Sequence, residues 1–287
     1  MSSSYHLPQA RKGKGMTEHS AVPAGIDPNT PSVARMYDYY LGGKDNFASD
    51  RAAAEQFMRV LPGIREMARD NRAFLTRVVE LLAREGVRQF LDIGSGLPTQ
   101  DNVHQVAHRV APEARVVYVD NDPIVLVHGR ALLEDNPFTS VVQADMREPE
   151  ELLAHPEVEG VIDFTRPVAV LLISMLHFIP DEALVTRVTT AIRERLAPGS
   201  YLVITHAFEG DVSAEVQEAG QKVYRSTSAG ALTSRGPERL AELMSGLDLL
   251  EPGVVPVGAW RPERGEYDEE IVVDLTKPNI LGVVGRR

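Results

Sequence analysis

Two glycines and an acidic residue in this chain are spaced as a nucleoside-binding site requires. The stretch Arg88–Gly96 reads Arg-Gln-Phe-Leu-Asp-Ile-Gly-Ser-Gly, an apolar run that stops at Gly94 and Gly96. A buried strand that ends in two closely spaced glycines predicts a tight turn whose bare backbone a ligand can approach. A second apolar run, Val116–Val119, ends in Asp120. In a strand–helix–strand unit, this carboxylate lies where the two hydroxyls of a ribose bind.

The charge beside the glycine turn separates two classes of cofactor. Dinucleotide binders favour a third glycine for close helix packing around a pyrophosphate, and Thr99 stands at that position. Asp92, two residues before the first glycine, suits a ligand with a positive end, such as the amino group or sulfonium of S-adenosylmethionine (SAM). The motif therefore favours SAM over NAD. A purely structural turn remains the alternative for the glycines taken alone.

Composition narrows the classes of partner. The 287 residues include 30 Lys and Arg and 41 Asp and Glu, for a formal net charge of −11. No basic block interleaves with aromatic residues in the body of the chain, so we do not expect nucleic acid as a partner. The absence of cysteine excludes disulfides and thiolate metal sites, and we predict no metal site.

Hydropathy gives an expectation about location. The longest apolar run, Val168–Ile179, is interrupted by Ser174 and His177 and is too short to span a bilayer. The first residues lack the apolar core of a signal peptide. We therefore expect a soluble, cytoplasmic protein with no membrane partner.

The elements that must position these residues follow from periodicity and turn signals. Residues 1–28 are rich in Ser, Gly, Pro and Lys without apolar periodicity, which predicts a disordered tail. Residues 29–84 predict an N-terminal helical cap of the same domain, and residues 85–287 a Rossmann-like core. The predicted helices are Val33–Tyr40, Arg51–Val60 with Asp50 as cap, Glu66–Arg84, one from a Thr99 or Asp101 cap to Val110, Ile124–Leu133, Glu182–Leu196, Ala214–Tyr224, and one from a Thr233 or Ser234 cap to Gly246. The predicted strands beyond the first two are Val141–Val142, Val168–Ile173, Tyr201–Thr205, Val254–Val257 and Leu281–Val284, the last two around a charged hairpin that contains Trp260.

Further polar residues follow the later strands. Ligands of open α/β sheets bind beyond the carboxyl ends of the strands, so Ser174, His177 and His206 are expected at the functional edge. After the third strand, Asp145 could accept the adenine amino group while Met146 packs on the ring, although a capping Asp beside a core Met is the alternative. The long connection from Phe208 to Leu232 is a candidate substrate wall.

Assembled, the chain resembles a class I SAM-dependent methyltransferase, and more narrowly the actinobacterial-type S-adenosyl methyltransferase family. The resemblance covers roughly Asp27–Arg287. Its strings are Met36–Phe47 (MYDYYLGGKDNF), Gln89–Thr99 (QFLDIGSGLPT), Asn102–His104 (NVH) and Val117–Pro123 (VYVDNDP). It implies an α/β fold with a class I Rossmann-like sheet, mostly parallel with an antiparallel last strand, plus the helical cap.

The resemblance also assigns site residues. It implies that Gly94 and Gly96 flank the methionine portion of SAM and that Asp92 meets its amine. Asp120 would take the ribose hydroxyls, and Ser174 would make a backbone contact near the sulfonium. The remaining cofactor-binding residues that we predict are Ser95 and Asn121 beside these groups, and Asp145 and Met146 at adenine.

A base is needed only if the methyl acceptor must lose a proton as it attacks. His177 is the candidate, because its Leu-His-Phe-Ile-Pro-Asp context is similar to the Leu-His-x-x-x-Asp segment of small-molecule O-methyltransferases, where that His is the base. Phe178 stands where an acid is common, so a His packed to support the cofactor loop is the alternative.

We therefore predict a SAM-dependent methyltransferase with an unidentified small-molecule acceptor. A catalytically inactive SAM-binding regulator and an NAD-dependent oxidoreductase are the alternatives.

Overall fold

The apolar runs of the sequence form one central sheet. The computed structural model describes residues 26–98, 101–133, 136–261 and 273–287. Its strands are β1 Gln89–Ile93, β2 Arg115–Asp120, β3 Thr139–Gln143, β4 Ala169–Ile173, β5 Tyr201–Phe208, β6 Asp248–Leu249, β7 Val255–Pro256 and β8 Asn279–Arg286. The strand order is β3-β2-β1-β4-β5-β8-β6, and β7 also pairs with β8.

Strands β1 to β5 are mutually parallel, and β8 runs antiparallel to β5. Strands β6 and β7 each pair with β8 in antiparallel fashion. The prediction of a mostly parallel α/β sheet with an antiparallel last strand is confirmed. The order reverses between β1 and β4, and such a reversal opens a crevice at the carboxyl ends of the strands.

Helices cover both faces of the sheet. They are α1 Val33–Tyr40, α2 Ala48–Val60, α3 Ile64–Arg84, α4 Val103–Val110, α5 Pro123–Leu133, α6 Pro149–Leu153, α7 Pro156–Glu159, α8 Glu182–Arg195, α9 Ala214–Arg225 and α10 Pro237–Leu243, with 3-10 turns at Leu176–Phe178 and Val257–Ala259. Phe90 joins the buried cluster that contains Phe74 of α3, whereas Leu91 joins the opposite cluster, which contains Val185 of α8. Two-sided burial explains why the strands read as continuous apolar runs.

A third, smaller core joins the N-terminal helices to α9. Met36 and Tyr40 of α1, Phe57 of α2 and Tyr224 of α9 are buried together. The Phe57 and Tyr224 rings meet edge to face, with centroids 4.9 Å apart. The first three helices and α9 therefore close over one edge of the sheet, while the second half of α3 belongs to the main core.

Three predicted helix caps are wrong because neighbouring residues do the capping. Asp50 is the third residue of α2 rather than its cap, and its carboxylate accepts the Phe47 N–H at 2.7 Å. Asn102 caps α4 in place of Asp101, while Thr99 lies outside the described residues. Helix α10 starts after Gly236. Thr233 and Ser234 instead bond to the backbone of His177 and Glu209.

Trp260, in the segment expected to form a charged hairpin, is fully buried, and its ring lies edge to face with Phe74 at 5.3 Å between centroids. Residues 262–272 of that segment lie outside the described residues. One further expectation needs correction. Residues 26–28, the described end of the predicted tail, are held by side chains of the cap. Arg35 donates to the Asp27 carbonyl oxygen at 3.3 Å, and Ser49 donates to the Pro28 carbonyl oxygen at 2.6 Å. The rest of that tail lies outside the described residues. Within the described ranges, no helix has the length and apolar character needed to cross a membrane.

The cap depends on one buried ion pair, which predicts a large mutational cost. Arg35 Nε lies 2.7 Å from Asp50 Oδ2, and the two side chains are 4% and 0% exposed. Arg35→Met leaves the Asp50 charge buried without its partner, so we expect the free energy of unfolding to fall by about 3 kcal/mol. Urea denaturation measures this loss. The matched control is Arg84→Met at the exposed Arg84–Glu80 pair, which should cost about 0.5 kcal/mol or less. Equal losses in the two variants would contradict the prediction.

Candidate functional site

A cavity of about 250 Å³ lies at the carboxyl edge of the sheet, beneath the cap. Its floor comes from the residues that follow β1, β2, β4 and β5, and its roof from α1, α2, α3 and α9. Seven predicted site residues line it together: Asp92, Gly94, Ser95, Gly96, Asp120, Asn121 and Ser174. His177 also lines it.

The glycine turn has the geometry that its sequence predicts. Gly94 and Gly96 have φ angles of +76° and +66°, which favour glycine. The Gly94 N–H donates to the Val119 carbonyl oxygen at 2.7 Å, which ties the turn to the end of β2. A Cβ on Gly94 would lie 2.3 Å from side-chain atoms of Met175. The turn therefore exposes bare backbone beside the residues that follow β4.

Asp120 is held in a single orientation at the end of β2. Its Oδ2 accepts the Gly96 N–H and its Oδ1 accepts the Asp122 N–H, both at 2.9 Å. Burial raises the pKa of Asp120, and the backbone N–H bonds oppose that effect. Ser32, just before α1, donates to Asp122 Oδ2 at 2.9 Å, so the cap is fastened next to this carboxylate. The remaining lone pairs of Asp120 suit paired hydroxyl donors.

Asp92 is a buried carboxyl on the face of β1 that looks toward α3. Burial raises its pKa to about 7, the charge of Asp120 adds to the increase, and Arg72 opposes it. A carboxyl in this state has a strong electrostatic preference for a cationic neighbour, because a nearby positive charge lowers the cost of ionisation. Asp92 and the bare turn after it therefore fit a ligand with a positively charged end.

The end of β4 holds a strained residue. Ser174 has a φ of +57°, a region that non-glycine residues rarely adopt and that clusters at functional sites. Its N–H donates to the Thr205 hydroxyl at 2.8 Å, and its Oγ accepts from Asn71 Nδ2 at 3.0 Å. Sequence reasoning missed Asn71. The available signal was a polar residue on the apolar stripe of α3, four residues after Met67 and four before Leu75.

His177 lies in the 3-10 turn after β4 and is 5% exposed. Its Nδ1 accepts the Ala207 N–H at 3.2 Å, so its proton sits on Nε2. Burial, with the neighbouring His206 and Arg235, holds the pKa of His177 well below 6.5. The buried guanidinium of Arg235, also missed from sequence, donates to the Leu176 carbonyl oxygen at 3.1 Å and fixes this turn. His177 is thus neutral, and its one accepting nitrogen, Nδ1, already accepts a hydrogen bond.

Asp145 and Met146 lie just outside the cavity, although a side-chain hydrogen bond connects Asp145 to Asn121, which lines it. Neither is among the described residues that line the cavity. Arg147 Nε lies 2.9 Å from both carboxylate oxygens of Asp145, and this bonding lowers the pKa of Asp145. The carboxylate therefore already has a strong partner beside the edge of β3.

Much of the remaining cavity lining is aromatic or aliphatic. It includes Tyr40, Phe57, Val60, Leu61, Phe178, Phe208, Val216, Gly220 and Tyr224, together with the polar Gln221. Helix α9 supplies one side, within the segment expected to form a substrate wall. At Gly220 a Cβ would lie 3.3 Å from the Phe57 ring, so α9 approaches α2 closely here.

Comparison with known proteins shows to which family the chain belongs. A sequence profile described as S-adenosyl methyltransferase matches residues 19–286. The chain belongs to this family. It is therefore a SAM-dependent methyltransferase, and the predicted cofactor is confirmed. A search of curated proteins found no match.

Two solved structures are similar to almost the whole chain. A proposed methyltransferase from Thermobifida fusca YX is 44% identical, with a TM-score of 0.83, over 92% of this chain and 98% of that one. A DUF574 family protein from Streptomyces avermitilis MA-4680 is 38% identical, with a TM-score of 0.82, over 91% and 99% of the two chains.

The neutral state of His177 predicts a pH effect on stability. The pKa of His177 is lower in the folded protein than in the unfolded chain. As pH falls below the unfolded pKa of about 6.5, the unfolded chain therefore binds a proton that the folded protein does not, and the free energy of unfolding decreases. His177→Asn keeps an acceptor for the Ala207 N–H but does not titrate. Its free energy of unfolding should therefore fall less steeply below pH 6.5, by up to about 1.4 kcal/mol per pH unit. Urea titrations from pH 7.5 to 4.5 measure both curves, and parallel curves would contradict the assignment.

Proposed function

We propose that this methyltransferase acts on a small, largely apolar acceptor. It would bind against the lining residues Tyr40, Phe57, Val60, Leu61, Phe178, Phe208, Val216, Gly220, Gln221 and Tyr224, which we call the acceptor compartment. One observation carries the proposal: a single cavity joins the glycine turn and its carboxylates to that compartment. Such a cavity brings the two reactants into contact and excludes water, which is most of what an in-line methyl transfer requires.

The residues fit SAM along the strand order. Asp120, after β2, would accept the ribose hydroxyls, while Asn121 and Ser95 line the same end of the cavity. Asp92 and the backbone of Gly94, after β1, would meet the positively charged amino-acid end. Ser174, after β4, borders the acceptor compartment. SAM supplies the activated methyl: the acceptor's lone pair bonds to its carbon as the carbon–sulfur bond breaks, which leaves S-adenosylhomocysteine (SAH).

The aromatic lining of the acceptor compartment favours a small acceptor over a macromolecular one. Its aromatic walls, Phe57, Phe178 and Tyr224 among them, favour a flat or aliphatic molecule that buries most of its surface. The net charge of −11 disfavours nucleic acid, which binds through basic surfaces. At adenine, Asp145 and Met146 remain proposed contacts that require Asp145 to share its carboxylate with Arg147.

His177 is proposed here as a positioning residue. Its Nδ1 is occupied by the Ala207 N–H, so it has no lone pair free to remove a proton from an acceptor. Its ring lies edge to face with Phe178, with centroids 4.3 Å apart, and Phe178 lines the compartment. His177 would therefore hold the wall that contacts the acceptor.

The decisive experiment measures SAH release. The purified protein is incubated with SAM and fractionated small molecules, and each fraction is assayed for SAH and for a methylated product. Release of SAH only with particular apolar fractions supports the proposal. SAM binding without SAH release by any fraction would contradict the small apolar acceptor and favour the non-catalytic regulator.

The role proposed for Asp120 predicts a loss of cofactor affinity. Asp120→Ala removes the ribose acceptor and the partner of the Gly96 N–H, so SAH should bind about 10- to 100-fold more weakly by calorimetry. The matched control is Asp163→Ala, because Asp163 is exposed and its backbone contacts Gln89 at the opposite end of β1. Unchanged SAH affinity in the Asp120 variant would remove this residue from the site.

The state of Asp92 predicts that SAM binding releases a proton. Asp92 has a pKa of about 7, so a cation beside it stabilises the ionised form and expels the proton near neutral pH. SAM affinity should therefore rise between pH 6 and pH 8. Calorimetry in buffers of different ionisation enthalpy counts the proton, which should be absent in Asp92→Asn. Equal proton release by the two proteins would show that another group titrates.

A further inference from the structure

Glu209 is an acidic residue that follows β5 and lines the same cavity as the acceptor compartment. It is partly buried, and its carboxylate forms no hydrogen bond or ion pair with the residues that the structure describes. Much of the lining around it is apolar. Because a carboxylate drawn out of water needs a partner, one in this position favours a ligand that brings a positive charge.

Strand pairing places Glu209 on the face of the sheet that the cavity covers. Ala207 pairs with Ile280 of β8, and both residues line the cavity. Ile280 also belongs to the buried cluster that contains Phe74 of α3. Side chains alternate between the two faces along a strand, so Glu209, two residues after Ala207, lies on this same face. The carboxylate is therefore directed toward the cavity and not toward the opposite core.

The backbone around Glu209 is fixed by the loops that it crosses. The Glu209 N–H donates to Ser234 Oγ at 3.0 Å. The Asp211 N–H donates to the Thr276 carbonyl oxygen at 2.8 Å, and a Cβ on Gly210 would lie 2.5 Å from that oxygen. A ligand that binds Glu209 therefore does not have to order this segment, which lowers the cost of binding.

The other charges and rings of the cavity also favour a cation near Glu209. Arg72 is the one Lys or Arg among the described lining residues, and its charge already acts on Asp92, where it opposes the rise in pKa. Phe178 and Tyr224 contribute aromatic rings to the lining, and the faces of such rings attract cations. An ammonium group on an apolar molecule suits both the carboxylate and the rings.

The register of the sheet separates Glu209 from the place of methyl transfer. Ile173 of β4 pairs with Thr205 of β5. Ser174 follows Ile173 directly, so Glu209 lies three residues farther along the strand direction than Ser174, a distance of about 10 Å. An acceptor of one ring and a short chain spans such a distance. Glu209 is thus suited to recognise one end of the acceptor while the other end meets the methyl.

We propose that Glu209 is a specificity-determining residue that binds a protonated amine on the methyl acceptor. The inference deepens the function proposed above and rests on it. The acceptor would be an apolar molecule that carries its ammonium group at the end remote from the methylated atom. The carboxylate accepts the ammonium N–H groups, while the acceptor compartment buries the apolar body.

The test measures ligand binding to the protein saturated with SAH. A phenylpropyl and an octyl skeleton each carry an ammonium, a hydroxyl or a carboxylate head group, and titration calorimetry gives the six affinities. The wild-type protein should bind at least one amine about 5- to 20-fold more tightly than the alcohol of the same skeleton. Glu209→Gln keeps the shape and removes the charge, so amine and alcohol should bind within twofold of each other. Glu209→Lys should favour the carboxylate.

Glu215→Gln is the matched control. Glu215 is exposed on α9 and is not among the described residues that line the cavity, so the variant removes an equal charge outside the site. Its preference for the amine should stay within twofold of the wild-type value. A wild-type protein without that preference, or a preference that survives in Glu209→Gln, overturns the proposal.

The same experiment separates this inference from the function on which it rests. Failure of the wild-type protein to bind SAH would reject the proposed cofactor site, and the inference with it, before any amine is added. Selective amine binding by a protein that releases no SAH with any acceptor fraction would reject the proposed methyl transfer and retain Glu209 as an amine-binding residue.

Discussion

Two-sided burial of the parallel sheet is the constraint from which the site follows. Strands β1, β2 and β4 have apolar clusters on both faces, so polar groups along them are costly except where a strand ends. Asp120 and Ser174 accordingly lie at carboxyl ends. Asp92 is the penultimate residue of β1, two positions before Gly94, and burial there raises its pKa. The same constraint that builds the core therefore collects the chemistry at one edge.

Much of the fold was accessible from the sequence because its main signals are local. Apolar runs located β1 to β5, and the positive φ angles of Gly94 and Gly96 follow from residue type and spacing. Site residues at the end of a strand, such as Asp120, could be predicted from the sequence, and the structure brings them together at the cavity.

Residues whose roles depend on distant partners were not accessible. Asn71 and Ser174 are 103 positions apart, and only folding brings the amide and the hydroxyl together. Arg235 looks like a surface residue in sequence, yet it is 4% exposed and bonded to the turn that holds His177. Helix caps failed for a related reason, because several Ser, Thr and Asp residues stood near each start. Ser234 accepts the Glu209 N–H, and Asp50 accepts from the Ser32 N–H and from Arg35 Nε.

Close approach of α9 to α2 at Gly220 has an evolutionary consequence. The width of the compartment there is set by the absence of a single methyl group, since a Cβ would lie 3.3 Å from the Phe57 ring. Glycine codons change to alanine or valine by one nucleotide. Divergence at this codon would reshape the compartment proposed to hold the acceptor while the carboxylates and the glycine turn stay intact, so paralogues could diversify in acceptor without rebuilding the cofactor half.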